Sequence, residues 1–177
     1  MIGHIVIAPF SNSDIRDWPA THYRALIDGL LDAWSGTIHV VGAPGQAIRA
    51  REITRSFDAT RVFCDGGRLS WPEVVALIRS AACVIGNNSG IPHLAAFEGV
   101  PTVCVFGGAH QRLEWRPLGG HVVTLSRAIA CSPCHLHYAA ACPYGLACLE
   151  QIRPETVLDT VLRMIDHLPA ETFADTA

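Results

Sequence analysis

Six short runs of apolar residues recur along the chain, separated by helical patterns and by turns that contain glycine or polar residues. Most of these runs are continuously apolar and do not alternate with polar residues, which is typical of strands covered on both faces. We therefore predict a parallel sheet of about six strands with helices on both faces. The predicted strands are His4–Ala8, Thr37–Val41, Arg61–Cys64, Cys83–Ile85, Thr102–Phe106 and His121–Leu125.

Three further segments carry apolar residues at the spacing of one helix face. The regular alternation of strands and helices predicts an open α/β sheet with right-handed crossovers. Ligands bind such sheets at the carboxyl ends of the strands, so we expect functional residues in the loops that follow strands. The apolar helical positions are Tyr23, Leu26, Ile27, Leu30, Leu31 and Trp34; Trp71, Val74, Val75 and Ile78; and Val157, Leu158, Val161, Leu162, Ile165 and Leu168.

The composition indicates one compact domain. Half of the 177 residues are hydrophobic and 16% are charged, which excludes a disordered chain. The net charge of −3 argues against an extended nucleic-acid surface. We predict a domain over residues 1–170, with a cysteine-rich loop at 131–148 and a frayed tail at 171–177. The first residues lack the basic start and long apolar stretch of a signal peptide, so we expect a cytoplasmic protein.

The segment from Val84 to Pro101 contains the clearest candidate site. A strand is followed by a polar glycine turn and by a helix that begins near Ser89. Exposed N–H groups and the helix dipole make such a turn an anion site, and Gly90 lets the backbone approach a ligand. His93, four residues after Ser89, would face the same opening and donate to a phosphate oxygen. The alternative interpretation is an ordinary capped helix with a surface histidine.

A second polar turn follows the first predicted strand. It places Ser11, Ser13 and Arg16 shortly before Trp18 and a helix start. A guanidinium group suits bidentate phosphate recognition. The alternative is a solvated arginine beside a core tryptophan, but its position at the same sheet edge as the Ser89 turn favours a shared anion site.

The sequence lacks several common catalytic and nucleotide-binding motifs. It contains neither the P-loop pattern nor the G-x-G-x-x-G dinucleotide fingerprint. The zinc-protease pattern H-E-x-x-H and the nucleophile elbow G-x-S-x-G are also absent. A phosphate site in this chain must therefore be built from other turns.

The seven cysteines fall into two groups. Cys64, Cys83 and Cys104 lie in apolar strands, where we expect inert core thiols. The other four, spaced C-x2-C-x7-C-x5-C, are close enough in sequence to hold a structural zinc or iron ion, with His135 and His137 as substitute ligands. The alternative is a loop packed by reduced thiols, with one disulfide at most. These four cysteines are Cys131, Cys134, Cys142 and Cys148.

Taken in order, these segments resemble the C-terminal half of glycosyltransferase family 9, the ADP-heptose:lipopolysaccharide heptosyltransferases. The family pattern around the donor is close to N-D-[ST]-G-x-x-H-x-A-x-x-G-x-P, and this chain has the matching residues from Asn87 to Ala95 and from Gly99 to Pro101. The basic residue before Trp-Pro is matched by Arg16, and the cysteine-rich loop is matched at 131–148. The resemblance runs from about Ile5 to about Ile165, nearly the whole chain.

The resemblance implies half of a GT-B fold, in which a Rossmann-like domain binds a nucleotide-diphosphate sugar of the ADP-heptose type. It implies that Arg16 acts catalytically by neutralising the leaving diphosphate, without a cofactor for catalysis. The remaining donor-binding residues implied are Ser11, Ser13, Asn88, Ser89, Gly90 and His93. Asn88 stands where the family usually has aspartate, so a carboxylate that would hold the donor sugar is missing.

The family's N-terminal domain carries the acceptor site and the general base, and it has no counterpart in this sequence. One hypothesis is therefore an inverting glycosyltransferase that works with an acceptor-binding domain or a separate acceptor-binding chain. Its acceptor would be a lipopolysaccharide core or a similar molecule, which would bring the protein to the inner membrane. The alternative hypothesis is a nucleotide-sugar-binding module without catalysis, such as a truncated or degenerate copy.

Overall fold

The computed structural model describes residues 3–166, and their centre is one six-stranded sheet in which every neighbouring pair is parallel. The strand order is β3-β2-β1-β4-β5-β6. The predicted open parallel sheet of about six strands is therefore confirmed. The strands are β1 His4–Ala8, β2 Thr37–Val40, β3 Val62–Cys64, β4 Cys83–Asn87, β5 Thr102–Phe106 and β6 Val122–Ser126.

Helices cover both faces of the sheet. Short 3₁₀ turns at Asp14–Arg16, Pro44–Gln46 and Ala139–Ala141 add to them. The α-helices are α1 Ala20–Ala33, α2 Ala47–Thr54, α3 Trp71–Arg79, α4 Gly90–Phe97, α5 Arg112–Trp115, α6 Ala147–Glu150 and α7 Pro154–Asp166.

The side chains of each strand alternate between two buried layers. On β1, Ile5 and Ile7 belong to the core shared with α1, α2 and α7, whereas Val6 and Ala8 belong to the core shared with α3 and α4. Because both layers are apolar, the strands read as continuous hydrophobic runs. Burial of each large aliphatic side chain contributes about 1.5–3 kcal/mol to the free energy of folding, so these strand positions hold apolar residues in the sequence.

Helix α3 departs from its predicted apolar face. Ile78 is buried, and Val74 and Leu77 pack against the core, but Trp71 is 61% exposed. Trp71 is the first residue of the helix and is followed by Pro72, so it lies beyond the part of α3 that crosses the sheet. The predicted face is therefore confirmed at Val74 and Ile78 and wrong at Trp71, and Leu77, which was not predicted, packs against the core in addition.

Strand β4 extends two residues beyond its predicted end at Ile85. Gly86 pairs with Ala8 of β1, and Asn87 pairs with Val105 of β5. A Cβ added at Gly86 would lie 2.8 Å from the carbonyl oxygen of Ala8, so the glycine permits the close approach of β1 and β4. This extension carries the polar Asn87 side chain into the interior.

The strand order reverses between β1 and β4. From β1 the chain proceeds outward to β2 and β3, and it then returns to place β4, β5 and β6 on the other side. At such a switch point the loops that follow the two central strands diverge and leave a crevice at their carboxyl ends. The turn that contains Arg16 follows β1, and the turn that contains Ser89 follows β4.

The predicted frayed tail at 171–177 lies outside the described residues. Within residues 3–166, none of the helices combines the length and the apolar character that a membrane span requires.

Candidate functional site

The structure brings the two polar turns together across the crevice. The Arg16 guanidinium lies 3.3 Å, measured from Nη1, from the backbone carbonyl oxygen of Asn88, the residue before Ser89. A second guanidinium nitrogen donates to the side-chain oxygen of Asn12. The two turns come from strands that are adjacent in the sheet although Arg16 and Asn88 are 72 residues apart in sequence.

Two polar groups on opposite sides of this crevice have no partner among the described residues. They are the buried Nε of Arg16 and the buried hydroxyl of Ser89. A buried donor without a partner costs about 1–3 kcal/mol, and a ligand oxygen would satisfy it. Because both unpaired groups belong to the two turns that meet here, the gap between Arg16 and Ser89 is the candidate anion site.

Ser89 is the N-cap of α4, as its sequence position predicted, but its hydroxyl makes no capping hydrogen bond. The N–H groups of the first turn of α4 and the helix dipole favour an anion at this end. A Cβ added at Gly90 would meet no atom within 4 Å, so the backbone here faces open space. The first turn of α4 is accordingly open to a ligand.

His93 is exposed on α4, with its Nε2 lying 3.3 Å from the side-chain oxygen of Asn88. Partial desolvation lowers the pKa of His93, and a hydrogen bond to the backbone of Trp115 opposes this effect. The lowered pKa favours the neutral imidazole, which can still act as an N–H donor.

Asn88 is only 4% exposed, and its side chain lies against His93. The sequence places it among the donor-binding residues, whereas the structure shows an amide that is covered on the protein side of the crevice. In this conformation its side-chain oxygen lies next to His93, and its backbone carbonyl oxygen contacts Arg16.

The two serines of the first turn are engaged within the turn itself. The Ser11 hydroxyl lies 2.8 Å from a carboxylate oxygen of Asp17 and 2.6 Å from the Ser13 carbonyl oxygen. The Ser13 hydroxyl donates to the carbonyl oxygen of His137. These serines shape the loop around Arg16, and a direct bond to a ligand would have to replace one of these bonds.

Sequence reasoning missed three polar residues behind the turn, namely Asp17, Arg49 and Asn87. Asp17 accepts a hydrogen bond from Arg49 at 2.7 Å, and the Arg49 guanidinium also lies over the ring of Phe10, 4.6 Å from its centre. Asn87 is fully buried. The available signal for Asn87 was an amide two residues after the apolar run Cys83–Ile85, since a buried amide must find hydrogen-bond partners.

The loop after β5 adds a further histidine to the rim. His110 follows that strand and lies beside Trp115, with 5.6 Å between ring centres. Desolvation lowers the pKa of His110 most, and the positive field of Arg16 lowers it further. His110 is therefore close enough to Arg16 to sense its charge, and a positive charge at this position favours an anionic ligand.

The predicted cysteine-rich loop forms one wall of a cavity of about 330 Å³ next to the Arg16 turn. The backbone N–H of Ala139 donates to the Asp14 carboxylate at 2.8 Å, which ties the loop to that turn. Ile15, the residue before Arg16, also lines the cavity. All four loop cysteines line it: Cys131, Cys134, Cys142 and Cys148.

The four thiols are free and do not form a ligand set. In the part of the chain that the structure describes, no group of three or more histidine, cysteine, aspartate or glutamate side chains is arranged to hold a metal ion. The residues present thus face a common cavity, but in this conformation they do not fit a tetrahedral zinc or iron. The structural metal stays a prediction from the cysteine spacing.

Comparison with known proteins places the chain in a family. Residues 3–144 match the sequence profile of Glycosyltransferase family 9 (heptosyltransferase). Lipopolysaccharide heptosyltransferase 3 of Escherichia coli is 28% identical to the chain over 122 residues, which make up 68% of this chain and 35% of that protein.

Two solved structures of Escherichia coli proteins share the fold. ADP-heptose lps heptosyltransferase II has a TM-score of 0.78 at 20% identity, and the match covers 92% of this chain and 46% of that one. Heptosyltransferase WaaC, solved with ADP, has a TM-score of 0.71 at 21% identity, covering 92% of this chain and 44% of that one. The chain thus spans less than half the length of these relatives. Because the profile covers more than half of the chain, the protein belongs to glycosyltransferase family 9, the heptosyltransferase family.

Proposed function

We propose that this chain binds a nucleotide-diphosphate sugar of the ADP-heptose type in the crevice between the loops that follow β1 and β4. The observation that carries the proposal is the meeting of the Arg16 guanidinium with the turn that begins α4, where the Nε of Arg16 and the hydroxyl of Ser89 are both buried without partners. Membership of a heptosyltransferase family supports the choice of ligand, as does the solved relative that contains ADP.

Each side of the crevice has its own role in the proposal. The diphosphate lies between the guanidinium of Arg16 and the first-turn N–H groups of α4. Ser89 donates its free hydroxyl, and His93 donates an imidazole N–H from the outer edge. When the bond to the sugar breaks, negative charge grows on the diphosphate, and the fixed positive groups stabilise that charge more than they stabilise the bound donor.

The complete reaction, in this proposal, transfers the sugar to a lipopolysaccharide core or a similar acceptor. An acceptor-binding domain or chain supplies the acceptor site and the general base, because the residues described here form the donor side only. Support comes from the share of the solved relatives that this chain leaves uncovered, which is more than half of each. We place the reaction in the cytoplasm, at the inner membrane where the acceptor is held.

Calorimetry with ADP, UDP and GDP tests donor binding directly. We expect ADP to bind, and Arg16→Ala to weaken binding about 10- to 100-fold, since a hydrogen bond to a charged group contributes about 1.5–3 kcal/mol. Arg55→Ala is the matched control, because Arg55 is an exposed arginine that caps the far end of α2. Absence of binding by all three nucleotides, or equal losses in the two variants, contradicts the proposal.

The alternative is a module that binds the donor without transferring the sugar. The amide of Asn88, at a position where the family usually has aspartate, favours it, because an amide holds a sugar hydroxyl more weakly than a carboxylate does. A transfer assay with ADP-heptose, a lipopolysaccharide-core acceptor and a supplied acceptor-binding domain separates the two functions. Product formation supports the transferase, and ADP binding without product supports the module.

A further inference from the structure

Asn87 is a fully buried amide at the end of β4, directly beneath the crevice. Its side-chain oxygen accepts hydrogen bonds from the backbone N–H of Trp18 at 3.0 Å and from the hydroxyl of Tyr23 at 2.8 Å. Its side-chain nitrogen donates to the carbonyl oxygen of Pro9 at 2.7 Å and to the Asp17 carboxylate at 3.3 Å. Both donors and both acceptor positions of the amide are therefore used.

These partners lie at the two ends of the loop that contains Arg16. Pro9 is the first residue after β1, and Trp18 is the second residue after Arg16. A single side chain on β4 thus holds the start and the end of the β1 loop together. Because the loop is closed at its base, the 3₁₀ turn at Asp14–Arg16 projects from a fixed point toward the first turn of α4.

Asp17 extends this network to the rest of the loop. One of its carboxylate oxygens accepts the Ser11 backbone N–H at 2.7 Å, and the other accepts a hydrogen bond from Arg49. Asp17 is itself buried, so these donors compensate for the cost of burying its charge. The network joins β1, β4, α1 and α2 around the residue next to Arg16.

No other residue type supplies the same four bonds in this space. Leucine has a similar branched shape, but it would leave the Trp18 N–H, the Tyr23 hydroxyl and the Pro9 carbonyl oxygen buried without Asn87 as a partner. Aspartate would keep the acceptors but lose the donor to Pro9, and it would place a second carboxylate against Asp17. The loop would then adopt other conformations to satisfy its polar groups.

We propose that Asn87 is a positioning residue for donor binding, which acts by fixing the loop so that the Arg16 guanidinium faces the start of α4. This inference rests on the proposed function, because the benefit of the fixed loop is the orientation of Arg16 toward a diphosphate. The amide itself is covered by the loop and does not contact the ligand.

A double-mutant cycle on ADP affinity tests the inference. We expect Asn87→Leu to weaken ADP binding about 10-fold when Arg16 is present and less than about 2-fold in an Arg16→Ala background, since residues that act through one another are not additive. Tyr23→Phe removes one of the four bonds and keeps the ring in the core, so it provides a milder variant if Asn87→Leu does not fold. It should show the same dependence on Arg16 with a smaller effect.

Thr102→Val is the matched control for loss of a buried polar group. Thr102 is fully buried at the amino-terminal end of β5, away from the crevice at the carboxyl ends of the strands, and its hydroxyl donates to the Val100 carbonyl oxygen at 2.7 Å. We expect this variant to lower stability without changing ADP affinity. If Asn87→Leu weakens ADP binding equally with and without Arg16, or if Thr102→Val weakens it as much, the inference is overturned.

Hydrogen exchange separates the failure of this inference from the failure of the proposed function. In Asn87→Leu, the backbone amides of residues 10–18 should exchange faster than in Thr102→Val, and this readout needs no nucleotide. If the native protein binds no nucleotide, the proposed function fails and the positioning role fails with it, whatever the exchange shows. If the native protein binds ADP through Arg16 but the loop exchanges equally in both variants, only the inference fails.

Discussion

The Arg16 guanidinium and the backbone carbonyl oxygen of Asn88 lie 3.3 Å apart and join the loops that follow β1 and β4. Only the Nη1 of the guanidinium contacts this carbonyl oxygen, and the Nε remains buried and unpaired within residues 3–166. The contact therefore holds the cation at the start of α4 while leaving hydrogen-bonding capacity for a ligand.

Replacement of Arg16 by lysine tests whether geometry matters in addition to charge. An ammonium group keeps the positive charge but cannot present the planar fork that holds two oxygens. We expect Arg16→Lys to weaken ADP binding about 3- to 10-fold, less than Arg16→Ala, because part of the charge-assisted bonding remains. Calorimetry at two salt concentrations measures this effect. A loss as large as that of Arg16→Ala would show that charge alone contributes nothing at this position.

Replacement of Asn88 by aspartate should raise the pKa of His93. Burial now lowers the pKa of this imidazole, and the side-chain oxygen 3.3 Å away is a neutral amide oxygen. A carboxylate at that distance favours the imidazolium form, so protonation would occur at higher pH. Titration of the His93 ring proton by NMR checks the direction. An unchanged or lower pKa would show that the carboxylate turns away from His93.

Gly86→Ala should destabilise the junction between the two central strands. The added Cβ would lie 2.8 Å from both the Ala8 carbonyl oxygen and Cγ of Pro92, and neither group can move freely. We expect a loss of about 1–3 kcal/mol in the free energy of unfolding, measured by denaturant titration. Gly45→Ala is the control, because its added Cβ meets no atom within 4 Å. A similar loss at both positions would contradict the steric explanation.

Acid should destabilise the protein partly through His4. Desolvation lowers the pKa of this histidine, the ring of His39 lowers it further, and a hydrogen bond to the Leu77 carbonyl opposes both effects. Above the ordinary pKa of 6.5, His4 is neutral in both the folded and the unfolded chain, and the folded protein keeps its full stability. As the pH falls from 6.5 toward the lowered pKa of the folded state, stability is lost, because the unfolded chain binds the proton more readily. His4→Gln should therefore lose less stability between about pH 7 and about pH 5. Denaturant titrations at both pH values decide this, and an equal loss in the two proteins would exclude His4 as a contributor.

Alkylation should distinguish the loop cysteines from the core cysteines. Desolvation raises the pKa of the Cys83 and Cys104 thiols to about 12, so both should stay unmodified in the native protein. The partly exposed Cys131, Cys134 and Cys142 should be labelled, as mass spectrometry would show. Cys64 should be labelled too, because it is also partly exposed, so its predicted burial as an inert core thiol was wrong.

The same labelling tests the structural metal. If zinc or iron binds the cysteine-rich loop, the added ion should protect the loop cysteines and leave Cys64 reactive, since Cys64 is partly exposed and lies outside that loop. Equal protection of Cys64, or none anywhere, would count against a metal site at 131–148.

The sequence by itself determined the elements of this fold and the turns that carry its candidate site. Strand and helix positions are local properties, because a buried strand or an amphipathic helix must show its apolar pattern in consecutive residues. The Ser89 turn was predictable for the same reason, since a polar glycine turn between a strand and a helix is complete within about ten residues. The family resemblance then indicated which turns act together.

Only the tertiary structure decided how the two turns meet. The strand order places β1 beside β4, so Pro9, Trp18 and Asn87 share one set of hydrogen bonds although Asn87 is far from the other two in sequence. The tertiary structure also places His93 next to the Asn88 amide and directs the Ser11 hydroxyl to the Asp17 carboxylate. A residue's burial and hydrogen-bond partners depend on which strands become neighbours in the sheet, and the local pattern of apolar and polar residues does not specify the strand order.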